Sequence, residues 1–184
     1  VGISGDTVVV GAYLEDSGTT GVNSTPNEGA FDSGAVYVFI RSSGIWSQQA
    51  YLKPVVVGIT QVEDQFGNSV AVSGDTIVVG ANGEDSSTFG INSTPNESSG
   101  GSGAGYVFSR RSGVWIQQAF LKPAAVGSTQ TGDQFGVSVA VGGDTVIVGA
   151  ILEDSSTTGV NSTPNESSSG SGAAYAYAGF GSTL

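Results

Sequence analysis

The sequence contains no cysteine and no histidine. The first absence excludes a disulfide framework and a thiolate zinc site. The second removes the usual general base, the commonest transition-metal ligand and every Ser/His or Cys/His nucleophile pair. Positive charge is also scarce. Lys53, Lys122, Arg41, Arg110 and Arg111 stand against 16 carboxylates, for a formal net charge of −11 over 184 residues. No basic footprint exists for a nucleic-acid backbone, and an anionic membrane surface would repel the chain. No apolar run approaches the roughly 20 residues of a membrane-spanning helix, so membrane insertion is not expected. What is abundant is glycine, valine and small polar residues, a composition suited to short strands joined by polar turns.

The strongest signal is internal repetition. Gly5-Asp6-Thr7, Gly74-Asp75-Thr76 and Gly143-Asp144-Thr145 are spaced 69 residues apart (74 − 5 and 143 − 74), and Asn23, Asn92, Asn161 and Tyr37, Tyr106, Tyr175 keep the same period. Within one unit, Phe66 to Ser73 alternates like a short strand, and Thr76 to Ala81 is a continuous apolar run of the kind buried on both faces. Ser73-Gly74-Asp75 supplies the hairpin turn between them. Asn82 to Gly103 is a long polar loop, followed by strands over Ala104 to Ser109 and Val114 to Leu121, turned by Arg110-Arg111-Ser112-Gly113. The fold class is therefore all-β, with tandem four-stranded antiparallel blades of a β-propeller. A β-solenoid is the alternative. The units run over 1–57, 58–126 and 127–184, all within one propeller domain.

Asp64-Gln65-Phe66-Gly67-Asn68-Ser69-Val70-Ala71-Val72, followed by Val78-Val79-Gly80-Ala81, resembles the FG-GAP repeat of integrin α-subunit propellers and their bacterial relatives. Asp133-Gln134-Phe135-Gly136 to Val148-Gly149-Ala150 matches as well. In the first unit Val9-Val10-Gly11-Ala12 is intact but the Phe-Gly pair is missing. The resemblance implies the propeller fold. It leaves function open, because such repeats occur in adhesion receptors, lectin-like modules and surface proteins.

Three copies of one loop carry the candidate chemistry. Glu15, Asp16, Glu84, Asp85, Glu153 and Asp154 offer paired carboxylates among Asn, Ser and Thr oxygens, a donor set suited to calcium. The Asp-x-Asp-x-Asp-Gly motif that integrin-like repeats use for this is absent. Asn23, Asn92, Asn161, Asn96 and Asn165 open N-x-S/T triplets and are candidate glycosylation sites. Asp64 and Asp133 read as turn caps. Trp46 and Trp115 fit packing between blades, or a sugar-stacking platform beside Gln48-Gln49 and Gln117-Gln118.

An enzyme is the weakest reading, because one acidic pair is copied into every unit rather than placed in two unlike environments. The composition favours a non-enzymatic structural or adhesive module, extracellular or at the cell surface, with a carbohydrate-binding propeller as the alternative. Three full units would need 3 × 69 = 207 residues, 23 more than the 184 present. The Phe-Gly strand of the first unit and the last strand of the third are the missing parts. The expected partners are further blades or copies of the same protein in a larger assembly such as a fibre, and extracellular protein or glycan ligands. Alone, the chain is expected to aggregate through its open strand edges.

Overall fold

The computed structural model describes residues 1–124, 127 and 129–181; the sequence-based unit boundary at 126 lies outside these residues. Eleven strands form three antiparallel sheets, and no helix occurs among the described residues. The first sheet holds β1 (Gly2–Ser4), β2 (Thr7–Ala12), β3 (Ala35–Ser42) and β4 (Ile45–Leu52). The second holds β5 (Ser69–Ser73), β6 (Thr76–Ala81), β7 (Ala104–Arg111) and β8 (Val114–Leu121). The third holds β9 (Phe135–Gly142), β10 (Thr145–Ala150) and β11 (Ala173–Tyr177). Strands pair in chain order, each with its sequence neighbours. A solenoid of parallel coils is thereby excluded. The chain is a run of propeller blades, the first opening with the three-residue β1 and the third showing three strands among the described residues.

The turns follow from local chemistry. Gly5, Gly74 and Gly143 take φ of +55°, +56° and +60° at the first central position of the two-residue hairpin loops, where glycine meets no Cβ penalty. Ser112-Gly113 has positive φ at both central positions, 49° and 80°, the mirror-image turn whose twist matches the flanking strands.

The sheets stack face to face like a fan. The opening strands touch in sequence, β1 with β5 and β5 with β9. Val9, Val36, Ile77, Val79, Tyr106 and Trp115 are among the residues filling the core between the first and second sheets, while Val78, Val107, Val146 and Val148 help fill the next core. Strand β6 is consequently buried at all six positions, as its uninterrupted apolar sequence implies. Strand β10, of almost the same sequence, alternates, and Ile147 is 46% exposed where its counterpart Val78 is fully buried.

The Phe-Gly pair stitches neighbouring sheets. Phe66 N donates to Ser33 O, in the loop just before β3, at 3.0 Å, and Phe135 N to Ser102 O, just before β7, at 3.0 Å. Both rings are fully buried. The glycine permits a close backbone approach: a Cβ on Gly11 would stand 1.9 Å from Gly67 O, and one on Gly80 would stand 1.9 Å from Gly136 O. One difference from the sequence expectation is that strand pairing in the second unit begins at Ser69 rather than Phe66, whereas in the third unit Phe135 already stands opposite Ala150.

Candidate functional site

In the first two units the long loop folds back against the last strand of its own unit, and a buried lysine closes the fold. In the second unit, Lys122 lies directly after β8 and is fully buried. Its Nζ donates to Gly103 O at 2.6 Å, to Ser102 Oγ at 2.8 Å and to Glu84 Oε2 at 3.3 Å. Glu84 Oε2 also accepts from Ser86 N at 3.1 Å. Ser102 Oγ in turn donates to Ser86 O at 2.7 Å, so loop ends, carboxylate and ammonium form one connected network. Burial pushes the Glu84 carboxyl up and the Lys122 ammonium down, and their mutual attraction opposes both shifts.

The first unit repeats the device with a small change. Lys53 Nζ donates to Gly34 O at 2.6 Å and Ser33 Oγ at 2.9 Å. Glu15 Oε2 accepts from Ser17 N at 3.0 Å and from the Tyr51 hydroxyl at 3.1 Å. Burial lowers the Lys53 pKa to about 8. In the third unit Glu153 is again buried and accepts from Ser155 N at 2.9 Å, but no lysine reaches it among the described residues. The paired aspartates do a separate task. Asp16, Asp85 and Asp154 each accept a backbone amide across the loop, from Asp32, Gly101 and Gly170 at 2.7, 2.7 and 2.6 Å.

These positions decide how a calcium ion would fare. Within each pair the two carboxylates serve different amides, and no group of three or more acidic side chains gathers to hold a metal among the described residues. In the first two loops an ammonium already stands where hydroxyl and carbonyl oxygens converge. The residues there do not fit a calcium ion, since they place a fixed positive charge at the centre of the donor set.

Asp64 and Asp133 are not exposed turn caps. Both are 5% exposed. The Asp64 carboxyl is pushed up to about 8, first by burial and then by Glu84, Glu97 and Asp85, with Lys53 opposing. Asp133 is pushed up to about 7 by burial and by Glu153, Glu166 and Asp154.

The asparagines divide into two classes. Asn23, Asn92 and Asn161 are exposed and take φ of 57°, 58° and 56°. Asn23 Oδ1 accepts from Tyr51 N and Asn92 Oδ1 from Phe120 N, both at 2.9 Å, which pins each loop to its final strand. Asn96 and Asn165 are half-buried, and each Oδ1 gathers two backbone amides of its own loop.

Trp115 is 2% exposed, with Arg110 stacked at 5.0 Å and its Nε1 donating to Gln49 of the neighbouring sheet at 2.9 Å. It is therefore an inter-sheet packing residue. Trp46, on the open face of the first sheet, is 44% exposed. A polar cleft of about 470 Å³ opens between the loops, lined by Asp32, Glu63, Asn82 and Asp85 among others.

The profile of the FG-GAP repeat matches residues 46–108 and 115–177. The chain belongs to the FG-GAP repeat family. Each match runs from the tryptophan strand of one unit to the third strand of the next, so it spans the Phe-Gly stitch. In FG-GAP terms, the Phe-Gly pair that the motif names links neighbouring sheets, and the carboxylates lie in the loops between the second and third strands. No curated protein matches the chain.

Proposed function

We propose that this FG-GAP chain is a non-enzymatic structural or adhesive module of the cell surface or extracellular space, one part of a larger assembly of blades. The observation that carries the reading is how the polar inventory is used. In each loop, the carboxylates that would have to perform acid–base chemistry instead accept amides of their own loop, and in two of the three units a buried lysine closes the loop. A hydrolase needs two carboxyl groups in unlike environments around one substrate position, whereas these recur in every unit. The acidic, cation-poor composition suits a solvated external surface. Exposure of Asn23, Asn92 and Asn161 suits glycan carriage there.

Brief protease treatment of intact cells of the native source tests the reading. Release of peptides from the loops over 84–103 and 153–172, with hexose mass on the Asn92 and Asn161 peptides, is expected. Release only after lysis would overturn the surface assignment, and bare peptides at every site would remove the glycan part. A calcium role stands apart from this proposal. Carbohydrate binding through Trp115 is disfavoured by its burial between sheets.

A further inference from the structure

The junction of the first and second units and that of the second and third share one backbone but carry different side chains. At the first, Glu63 N donates to Phe31 O at 2.9 Å, Gln65 N to Asp32 O at 3.1 Å and Phe66 N to Ser33 O at 3.0 Å. At the second, one period later, Gly132 N donates to Gly100 O at 3.0 Å, Gln134 N to Gly101 O at 3.1 Å and Phe135 N to Ser102 O at 3.0 Å. Phe31, Asp32, Val62 and Glu63 thus stand where the next junction has Gly100, Gly101, Thr131 and Gly132. The fold does not require the larger set. Asp32 and Glu63 take φ of 50° and 65°, and their counterparts Gly101 and Gly132 take 62° and 82°, a region that glycine enters without the Cβ penalty other residues meet. Nor does crowding keep side chains out of the second junction, because a Cβ on Gly100 or Gly132 would meet nothing within 4 Å.

What the first junction gains is exposed and uncompensated. Phe31 is 61% exposed and Val62 43%. Val55, Val56 and Ile59, earlier in the same connecting segment, are exposed as well, and the sequence has Ala124, Ala125 and Ser128 at the matching places. The ion pairs among the described residues, at Asp6, Asp75 and Glu84, involve neither Asp32 nor Glu63. Both of these carboxylates line the polar cleft of about 470 Å³, together with Val62, Asn82 and Asp85. No lysine or arginine among the described residues lines it, and Asn82 Oδ1 is buried without a hydrogen-bond partner. The sheets on either side of this junction are both in place, so the cleft is not an unfinished edge of a blade.

We infer that this junction is a docking surface for a segment of a partner protein in which one basic side chain stands between aliphatic ones. The cation is met by Asp32, Glu63 and Asp85 in the cleft, and the aliphatic groups by Phe31, Val62 and the exposed residues of the connecting segment. Charge sets the sign of the partner. With a formal net charge of −11 on the chain and no cation lining the cleft, an anionic segment is repelled and a cationic one drawn in. The apolar residues set its class. Four of the five, Val55, Val56, Ile59 and Val62, are aliphatic, so they offer area for burying aliphatic side chains rather than a flat ring on which a sugar would stack. The backbone strain at Asp32 and Glu63 is retained at this junction alone, as expected where a site rather than the fold selects the residue.

The site rests on the adhesive reading, yet the two fail separately. The test titrates the purified chain with the labelled peptide Leu-Val-Lys-Val-Leu, followed by fluorescence anisotropy. Saturable one-to-one binding is expected, weakening as salt rises. Glutamate in place of the lysine is expected to weaken it at least about tenfold, and so are serines in place of the four aliphatic residues. Two double variants then write the second junction into the first, on a backbone that already accepts those residues. Asp32→Gly with Glu63→Gly is expected to erase most of the difference between the lysine and glutamate peptides. Phe31→Gly with Val62→Thr is expected to erase most of the difference between the aliphatic and serine peptides. Asp32→Asn with Glu63→Gln answers the charge question if the glycine pair fails to melt cooperatively. Absence of saturable binding, or a peptide difference that its double variant leaves unchanged, overturns the site. Loss of surface exposure on cells with peptide binding retained would overturn only the location.

Discussion

The second and third units carry nearly the same sequence in unlike surroundings. Thr76–Ala81 and Thr145–Ala150 differ chiefly by exchange of Ile and Val, yet the first strand has both faces covered and the second has one. The loops that follow share Glu-Asp, Asn-Ser-Thr-Pro-Asn-Glu and the same hydrogen bonds, yet only the earlier one encloses an ammonium. Local conformation is thus written in the repeat itself, whereas burial and charge balance come from the neighbouring strand or sheet. Substitutions placed in one unit and the other separate the two contributions.

The largest difference is expected at the lysine. Lys122→Met leaves Glu84 buried without its partner and should cost about 3–5 kcal/mol in urea unfolding. Glu153→Gln in the third loop keeps an acceptor for Ser155 N and should cost less than about 1 kcal/mol. Equal costs would show that the ammonium is not what stabilises the second loop.

The next difference lies at the glycines. Gly80→Ala would drive a methyl against Gly136 O of the adjoining sheet, so backbone must move and about 1–3 kcal/mol should be lost. Gly149→Ala, one period later, meets the Ser138 hydroxyl, a side chain able to rotate. Melting of this variant should fall only slightly.

A smaller effect is expected with pH. The folded Asp64 carboxyl titrates at about 8 and Asp133 at about 7, against roughly 4 for an unfolded aspartate. Between these values the folded state holds the extra protons, so stability is greatest in mild acid and declines as pH rises through the window. Lys53 works in the other direction above its folded value of about 8, where the unfolded amine stays charged and the folded one does not. A minimum near pH 8 should therefore appear in melting profiles. Asp64→Asn should flatten the acid side, and an unchanged profile would remove this account.

The smallest expected response is to calcium. Exchange of millimolar calcium for EDTA should leave the melting temperature essentially unchanged, because lysine already supplies the positive charge in two loops. A clear rise with calcium would show that the carboxylates can be recruited from their amide contacts.

Much of this fold was legible in advance for a physical reason. Gly74-Asp75 and Ser112-Gly113 fix hairpins locally, and the 69-residue spacing multiplies each local fact by three. Strands β6 and β8 begin and end where alternation and turn chemistry place them. The candidate site was harder to read. The carboxylates were visible, but their partners Ser86 N and Lys122 depend on how the loop folds back, which composition does not encode. The recurrence of Lys53 and Lys122 at one period, in a chain with five cations, was the available signal. Asp64 and Asp133 were misread as caps because a carboxylate in a polar stretch resembles a solvated turn until a neighbouring sheet covers it.

Phe66 and Phe135 belong by sequence to one sheet and by contact to the gap before it. A row of n sheets open at both ends therefore has n − 1 such gaps, a closed ring has n, and an isolated unit has none. Stability then grows as a chain of nearest-neighbour couplings rather than in proportion to length. The end sheets, each gripped from one side, should open first while the middle stays closed. Amide exchange would read this order directly: β6 should be the slowest strand to exchange, and β11 should be among the fastest.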